Sequence, residues 1–127
     1  MRPTHPVELL ACAIAQQEGF HVAGATPAVR NNPGDLRFAS QIGAQTPPPS
    51  NFPPPIATFD SLPHGIAALY RQLWLQVARG QTVAAIIAQW APPNENDTGS
   101  YLQNVLKWTG LPADVPVLQL LPPLERL

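Results

Sequence analysis

Arg30-Asn31-Asn32-Pro33-Gly34-Asp35-Leu36-Arg37-Phe38 decides how this 127-residue chain is read. Pro33 presets one backbone torsion and Gly34 accepts a positive one, so Asn31-Asn32-Pro33-Gly34 is a turn. Leu36-Arg37-Phe38 after it and Ile56-Ala57-Thr58-Phe59 further on alternate well enough for two short strands that can pair. No helix is expected between residue 20 and about residue 58. On both sides of this region apolar residues recur at helical spacing. The fold class is therefore mainly α (α+β), a helical domain with a small β-hairpin inserted after the first helix.

The first helix is predicted from about Pro6 to Glu18, capped by Thr4 or His5, with Val7, Leu10, Ala11 and Ile14 as its buried stripe. Gly19 supplies the backbone freedom that a helix end prefers. A second helix is expected over Leu62 to Arg79, capped by Asp60 or Ser61. Its apolar face is Ile66, Leu69, Tyr70, Leu73, Trp74 and Val77. Thr82 caps a short third helix carrying Val83, Ile86, Ile87 and Trp90 on one side. Asp97 or Thr98 starts a fourth, with Tyr101, Leu102, Val105, Leu106 and Trp108 inward and Gly110 at its end. Residues 1–110 are read as one domain, and 111–127 as an apolar, Pro-punctuated arm packed on it.

Composition narrows the function classes. The net charge is −1 and only 12% of residues are charged, so nothing favours nucleic acid or an anionic membrane surface. Seventeen prolines argue for stiff loops and against long strands. Those from Pro47 to Pro55 mark a semi-rigid exposed spacer. Cys12 is a lone cysteine in the apolar first helix and is expected to be a small core residue, without a disulfide or a multi-cysteine zinc site. His5, His21 and His64 show no metal-ligand spacing, and there is no Gly-rich phosphate loop, so no metal and no cofactor are expected. No signal peptide and no apolar run long enough to span a bilayer are visible.

The chemical candidate is Glu18. It falls four residues after Ile14 and continues the buried stripe, where partial desolvation favours the neutral carboxyl. A neutral carboxyl is what a general acid needs to protonate a glycosidic oxygen. The alternative is a helix-end Glu in an ordinary surface contact. Asp35 follows the turn and can bond its own backbone, while Asp97 suits a helix cap; each is also a possible second carboxylate. The connection Trp90-Ala91-Pro92-Pro93-Asn94-Glu95-Asn96-Asp97-Thr98-Gly99-Ser100-Tyr101 reads as one polar wall of a ligand site.

Three blocks in series resemble phage-associated members of the lysozyme superfamily, which includes lytic transglycosylases. They are Ala15-Gln16-Gln17-Glu18-Gly19-Phe20, then Arg30-Asn31-Asn32-Pro33-Gly34-Asp35-Leu36-Arg37, then Phe59-Asp60 and Gly65-Ile66-Ala67-Ala68-Leu69 with the Trp90–Tyr101 loop. The resemblance covers residues from about 8 to 110 and implies a lysozyme-like fold with Glu18 as acid/base. It implies cleavage of the β-1,4 bond between N-acetylmuramic acid and N-acetylglucosamine, with the same Glu then closing a 1,6-anhydro ring. A hydrolysing lysozyme would instead use a second carboxylate. Carried over by position, Asn31 and Asn32 would bind acetamido and hydroxyl groups on the hairpin edge. Asn94, Asn96, Thr98 and Tyr101 would line the opposite wall, and Trp90 would stack on a sugar or anchor the core beside Ile86 and Ile87. Asp35 stands where relatives often carry Asn.

The partner implied is the glycan strand of bacterial peptidoglycan, met by a monomer that neither binds nucleic acid nor inserts into a membrane. Such a protein would be made in the cytoplasm and reach the wall through phage, holin or secretion machinery. The alternative is a catalytically inactive glycan-binding or structural virion or secretion component of the same fold.

Overall fold

The computed structural model describes residues 5–49, 54–93 and 97–126. The architecture is mainly α, with helices α1 (Pro6–Gln17), α2 (Thr26–Val29), α3 (Leu62–Ala78), α4 (Val83–Trp90) and α5 (Thr98–Thr109), followed by 3-10 turns at Val117–Leu120 and Pro123–Glu125. Among the described residues no helix is long and apolar enough to cross a membrane. The chain divides into two compact units, one of Met1–Ala13 with Gln72–Leu127 and one of Ile14–Arg71.

The helices form where periodicity and caps place them. Val7, Leu10, Ala11 and Ile14 are all buried, so the predicted stripe of α1 is the one the fold uses. His5 Nδ1 accepts from the Val7 N–H at 3.2 Å at its start. In α3 the Ser61 hydroxyl meets the His64 N–H at 3.4 Å. Thr82 caps α4 by accepting from the Ala85 N–H at 3.1 Å, and Asp97 caps α5 by accepting from the Ser100 N–H at 3.0 Å. Gly110, with φ of 70°, ends α5 in the left-handed region that a side chain disfavours.

In the Ile14–Arg71 unit the Asn-Asn-Pro-Gly turn organises its surroundings. Asn32 is 0% exposed, and its amide Nδ2 donates to the carbonyls of Leu36 and Ala57, each at 2.9 Å. Its Oδ1 accepts from the Leu36 N–H at 2.9 Å. Asn31 and Asp35 adopt φ of 52° and 51°, which Asn and Asp tolerate better than other side chains. Gly65 on α3 meets the turn so closely that a Cβ there would run into the Asn31 carbonyl oxygen. An apolar cluster of Ala57, Phe59 and Ala68, with Leu36, Phe38 and Ala44 against it, fills the unit.

Where two strands were expected, the segments run antiparallel but meet only as isolated bridges, Arg37 with Ile56 and Ala44 with Phe59. The Phe38 N–H donates to Pro55 and the Ala57 N–H to Leu36, both at 2.8 Å. Pro54 and Pro55 have no N–H with which to extend that ladder. On the other side Ser40 and Gly43, at φ of 56° and 81°, bend the chain away. The short helix α2 was not anticipated; it carries Pro27 in its first turn.

In the other unit α4 and α5 pack on one another. Val83, Ile86 and Ile87 of α4 and Tyr101 and Val105 of α5 are buried. The segment after α5 joins the same unit: the Ala84 N–H donates to Ala113 at 3.1 Å and the Val117 N–H to Gln81 at 3.0 Å. Val117 and Leu121 are buried. His5 Nε2 meets Glu125 Oε1 at 2.9 Å, and the His5 ring tilts over Trp74 at 5.9 Å.

Expectations about the burial of four residues are corrected. Cys12 is exposed. It lies one helical turn after Glu8, on the side of α1 away from the stripe. Burial of part of the thiol, followed by the Glu8 charge, pushes its pKa up. Trp74 and Ile66 on α3 and Trp108 on α5 are exposed rather than inward, at 36–39%. In their place Ala68 and Gln76 are buried on α3, with Gln76 Nε2 donating to Gln89 Oε1 at 2.9 Å. The broad apolar face assigned to α3 was wider than the one the fold covers.

Candidate functional site

Glu18 occupies the C-cap of α1. Its N–H donates to Ile14 at 2.9 Å, continuing the helix. The next two N–H groups then turn back, Gly19 to Gln16 at 3.1 Å and Phe20 to Ala15 at 3.0 Å. This pair of hydrogen bonds with a left-handed Gly19, φ 82°, is the Schellman ending of a helix. It fixes the backbone at Glu18 and the direction in which the chain leaves the helix. The side chain is half-buried.

Asp35 belongs to the same unit as Glu18 and sits one residue beyond the Asn-Asn-Pro-Gly turn. Its Oδ1 is buried without a hydrogen-bond partner among the described residues. Burial raises its pKa, and the nearby Arg30 and Arg37 charges oppose that rise only in part. The expectation that Asp35 simply bonds its own backbone is thus not met by Oδ1. A carboxyl in this state holds a proton more readily than a solvated one.

Asn32 does a different task from the one expected. Asn32 is sealed from solvent with both amide atoms engaged in the fold, so it cannot grip a ligand. Turn chemistry and sugar-binding chemistry ask for the same amide, and here the turn takes it. Asn31 Nδ2 donates to the Phe59 carbonyl at 3.2 Å. Its partly buried side chain holds the turn against the segment that precedes α3.

The Trp90–Tyr101 connection lies in the other unit. Asn94 and Asn96, with Glu95 between them, fall outside the described residues. Trp90 is half-buried at the end of α4, beside the buried Ile86 and Ile87. Thr98 spends its hydroxyl on the Ala91 carbonyl at 2.6 Å. Asp97 accepts from the Ser100 N–H and from its hydroxyl at 2.9 Å, and these bonds lower its pKa. Asp97 is therefore a charged helix cap. Tyr101 is 4% exposed and behaves as a core aromatic with a polar tip.

Arg30 escaped the sequence reading as anything but part of a motif. Its Nη1 donates to Thr58 Oγ1 at 2.8 Å and reaches the Ile56 carbonyl at 3.5 Å. Only the pairing of two segments 28 positions apart reveals this contact. Among the described residues no group of three or more His, Cys, Asp and Glu could hold a metal ion.

No family model matches the chain, and no solved structure matches it. It is 35% identical over 86 residues to Protein P5 of Pseudoalteromonas phage PM2. That match covers 65% of this chain and 54% of that protein, so the chain spans about half the length of the relative it matches.

Proposed function

We propose that this chain is a peptidoglycan-cleaving glycosidase of the lysozyme superfamily, acting on the bond between N-acetylmuramic acid and N-acetylglucosamine. The observation that carries the reading is the half-buried Glu18 held at the C-cap of α1 by the Schellman ending. A half-buried carboxyl on a rigid helix end, continuing the buried stripe, starts from the fixed backbone position that a general acid needs. The likeness to a phage protein supports a phage setting. In this reading the Arg37–Ile56 pairing is the small hairpin of a lysozyme-like fold, residues 1–110 form the catalytic domain, and the protein acts as a monomer delivered to the wall by phage or secretion machinery.

Glu18 would give its proton to the glycosidic oxygen as the C–O bond breaks, with the substrate's own acetamido oxygen stabilising the cation-like centre. The resulting carboxylate would take the proton of the sugar's 6-hydroxyl, whose oxygen closes on C1. The products are a shortened glycan and a 1,6-anhydro end, and Glu18 is again protonated. Asp35 is the second carboxylate that a hydrolytic variant of this chemistry would call on.

A non-enzymatic glycan-binding or virion component is the second reading. It is favoured by the engagement of Asn32 and Thr98 within the fold, which reduces the polar groups left for a substrate. Turbidity of purified cell walls decides between them. Wild type should clear the suspension and Glu18→Gln should lose about 100-fold or more of the rate. Equal behaviour of the two proteins would remove the enzymatic reading. Mass spectrometry of released fragments then separates anhydro ends from reducing ends.

A further inference from the structure

The Ile14–Arg71 unit contains a cavity of about 410 Å³ lined by the bridged segments and the start of the Pro-rich loop. That volume lies near the low end of the ~300–1,000 Å³ common for small-molecule pockets. Its walls include Phe38, Pro47 and Pro55, and its polar groups are led by Arg30, Thr46 and Thr58. The prolines fix their own φ, so this wall costs little to hold open when a ligand enters.

The polar groups are one cation and neutral donors and acceptors. Among the described residues no carboxylate lines the cavity. Arg30 has no carboxylate within ion-pair distance among the described residues. Its Nη1 bonds to Thr58 and Ile56 lock the plane of the guanidinium, and its remaining N–H groups are not used by these bonds. A planar fork of this kind matches a carboxylate in bidentate fashion. A phosphate dianion suits the site less well, because it brings two charges to a single cation. Apolar walls around one anion-binding group define an amphipathic ligand.

We infer that this cavity binds the C-terminal carboxylate of a short peptide with small apolar side chains, the carboxylate on Arg30 and the aliphatic groups against Phe38 and the prolines. For a protein that cleaves the wall, and only on that reading, the pocket would engage the peptide part of the polymer while Glu18 meets the glycan. The cavity by itself supports the carboxylate and the apolar groups, and the peptide nature of the ligand rests on the proposed function.

Calorimetric titration of the full chain with N-acetyl-alanyl-alanine, its C-terminal amide and inorganic phosphate tests the inference. The free acid should bind saturably and at least ~10-fold more tightly than the amide. Arg30→Gln should lose that preference. Thr46→Val, at an exposed position with no described side-chain hydrogen bond, should keep the fold and weaken the acid severalfold. Equal binding of acid and amide, tighter binding of phosphate, or no saturable binding would each overturn it. The titration contains no glycan, so its failure and the failure of the cell-wall assay are separate results.

Discussion

Replacing Asn32 by Ala is expected to destabilise the protein by about 3–5 kcal/mol, although it removes only a carboxamide. Three hydrogen bonds of 2.9 Å disappear together. The Leu36 carbonyl keeps a bond from the Ala57 N–H. The Leu36 N–H and the Ala57 carbonyl lose the only partners described for them. With Asn32 and Ala57 at 0% and 2% exposure, water cannot easily replace what is lost. Each orphaned group costs roughly 1–3 kcal/mol, and the space left by the amide adds to that. Against a total stability of about 5–15 kcal/mol, such a change leaves the fold marginal.

Asn32→Asp sharpens the test, because shape is kept and only the donor is lost. One carboxylate oxygen still accepts from the Leu36 N–H, but the other faces two carbonyl oxygens. Its folded pKa must then lie above the unfolded value of about 3.9. A raised carboxyl pKa means that the folded state is favoured by protonation, so stability should return as pH falls through the folded value. Urea unfolding followed by far-UV circular dichroism, at about pH 7 and about pH 5, reads both effects. A loss under ~1 kcal/mol for Asn32→Ala would refute the reasoning, as would an Asp variant that gains nothing relative to wild type on acidification.

Gly65→Ala should destabilise by a few kcal/mol, because the new methyl meets the fixed Asn31 carbonyl. A helix-interior Gly free of such a contact would instead gain ~0.5–1 kcal/mol, so the sign of the change in denaturation midpoint is decisive. Thr82→Ala should cost about 1 kcal/mol through loss of the α4 cap, while Thr82→Ser should restore most of it in the same assay. In carbon-detected NMR titrations Asp35 should titrate above 3.8 and Asp97 below it. The stability signs follow: charging Asp35 weakens the fold as pH rises through its folded pKa, whereas Asp97 supports the fold above the unfolded value and loses that support as pH falls through its folded pKa. Asp35→Asn should therefore gain stability at neutral pH, with the added gain vanishing below the unfolded value.

The helices were legible because their signals are local. Thr82, Asp97 and Gly110 announce ends of α4 and α5, and the spacing of Val7, Leu10, Ala11 and Ile14 names the buried side of α1. Four residues of α2 are too few to show a period, and Pro27 alone does not mark a helix. Trp74 and Ile66 were read inward because size and apolarity suggest burial, yet a surface always keeps apolar side chains. Asn32 was assigned to ligand binding because residue type cannot say which way an amide points. Arg30 and Thr58 became visible as a pair only once the segments carrying them were aligned.

The contact between His5 and Glu125 spans 120 positions and has a consequence in time. The Ile14–Arg71 unit is continuous in the chain, so every residue of it is synthesised before Gln72 is added. The other unit is split, and Val117, Leu121 and Glu125 reach it last. Closing so long a loop is slow relative to the local pairing of helices. During synthesis the part of α1 up to Ala13 therefore waits for the rest of its unit, while the Asn-Asn-Pro-Gly turn and its surroundings can already assemble. The order in which the chain is made thus favours the unit that carries Glu18, Asp35 and Arg30, and leaves the partners of the N-terminal helix, Glu125 among them, to be added afterwards.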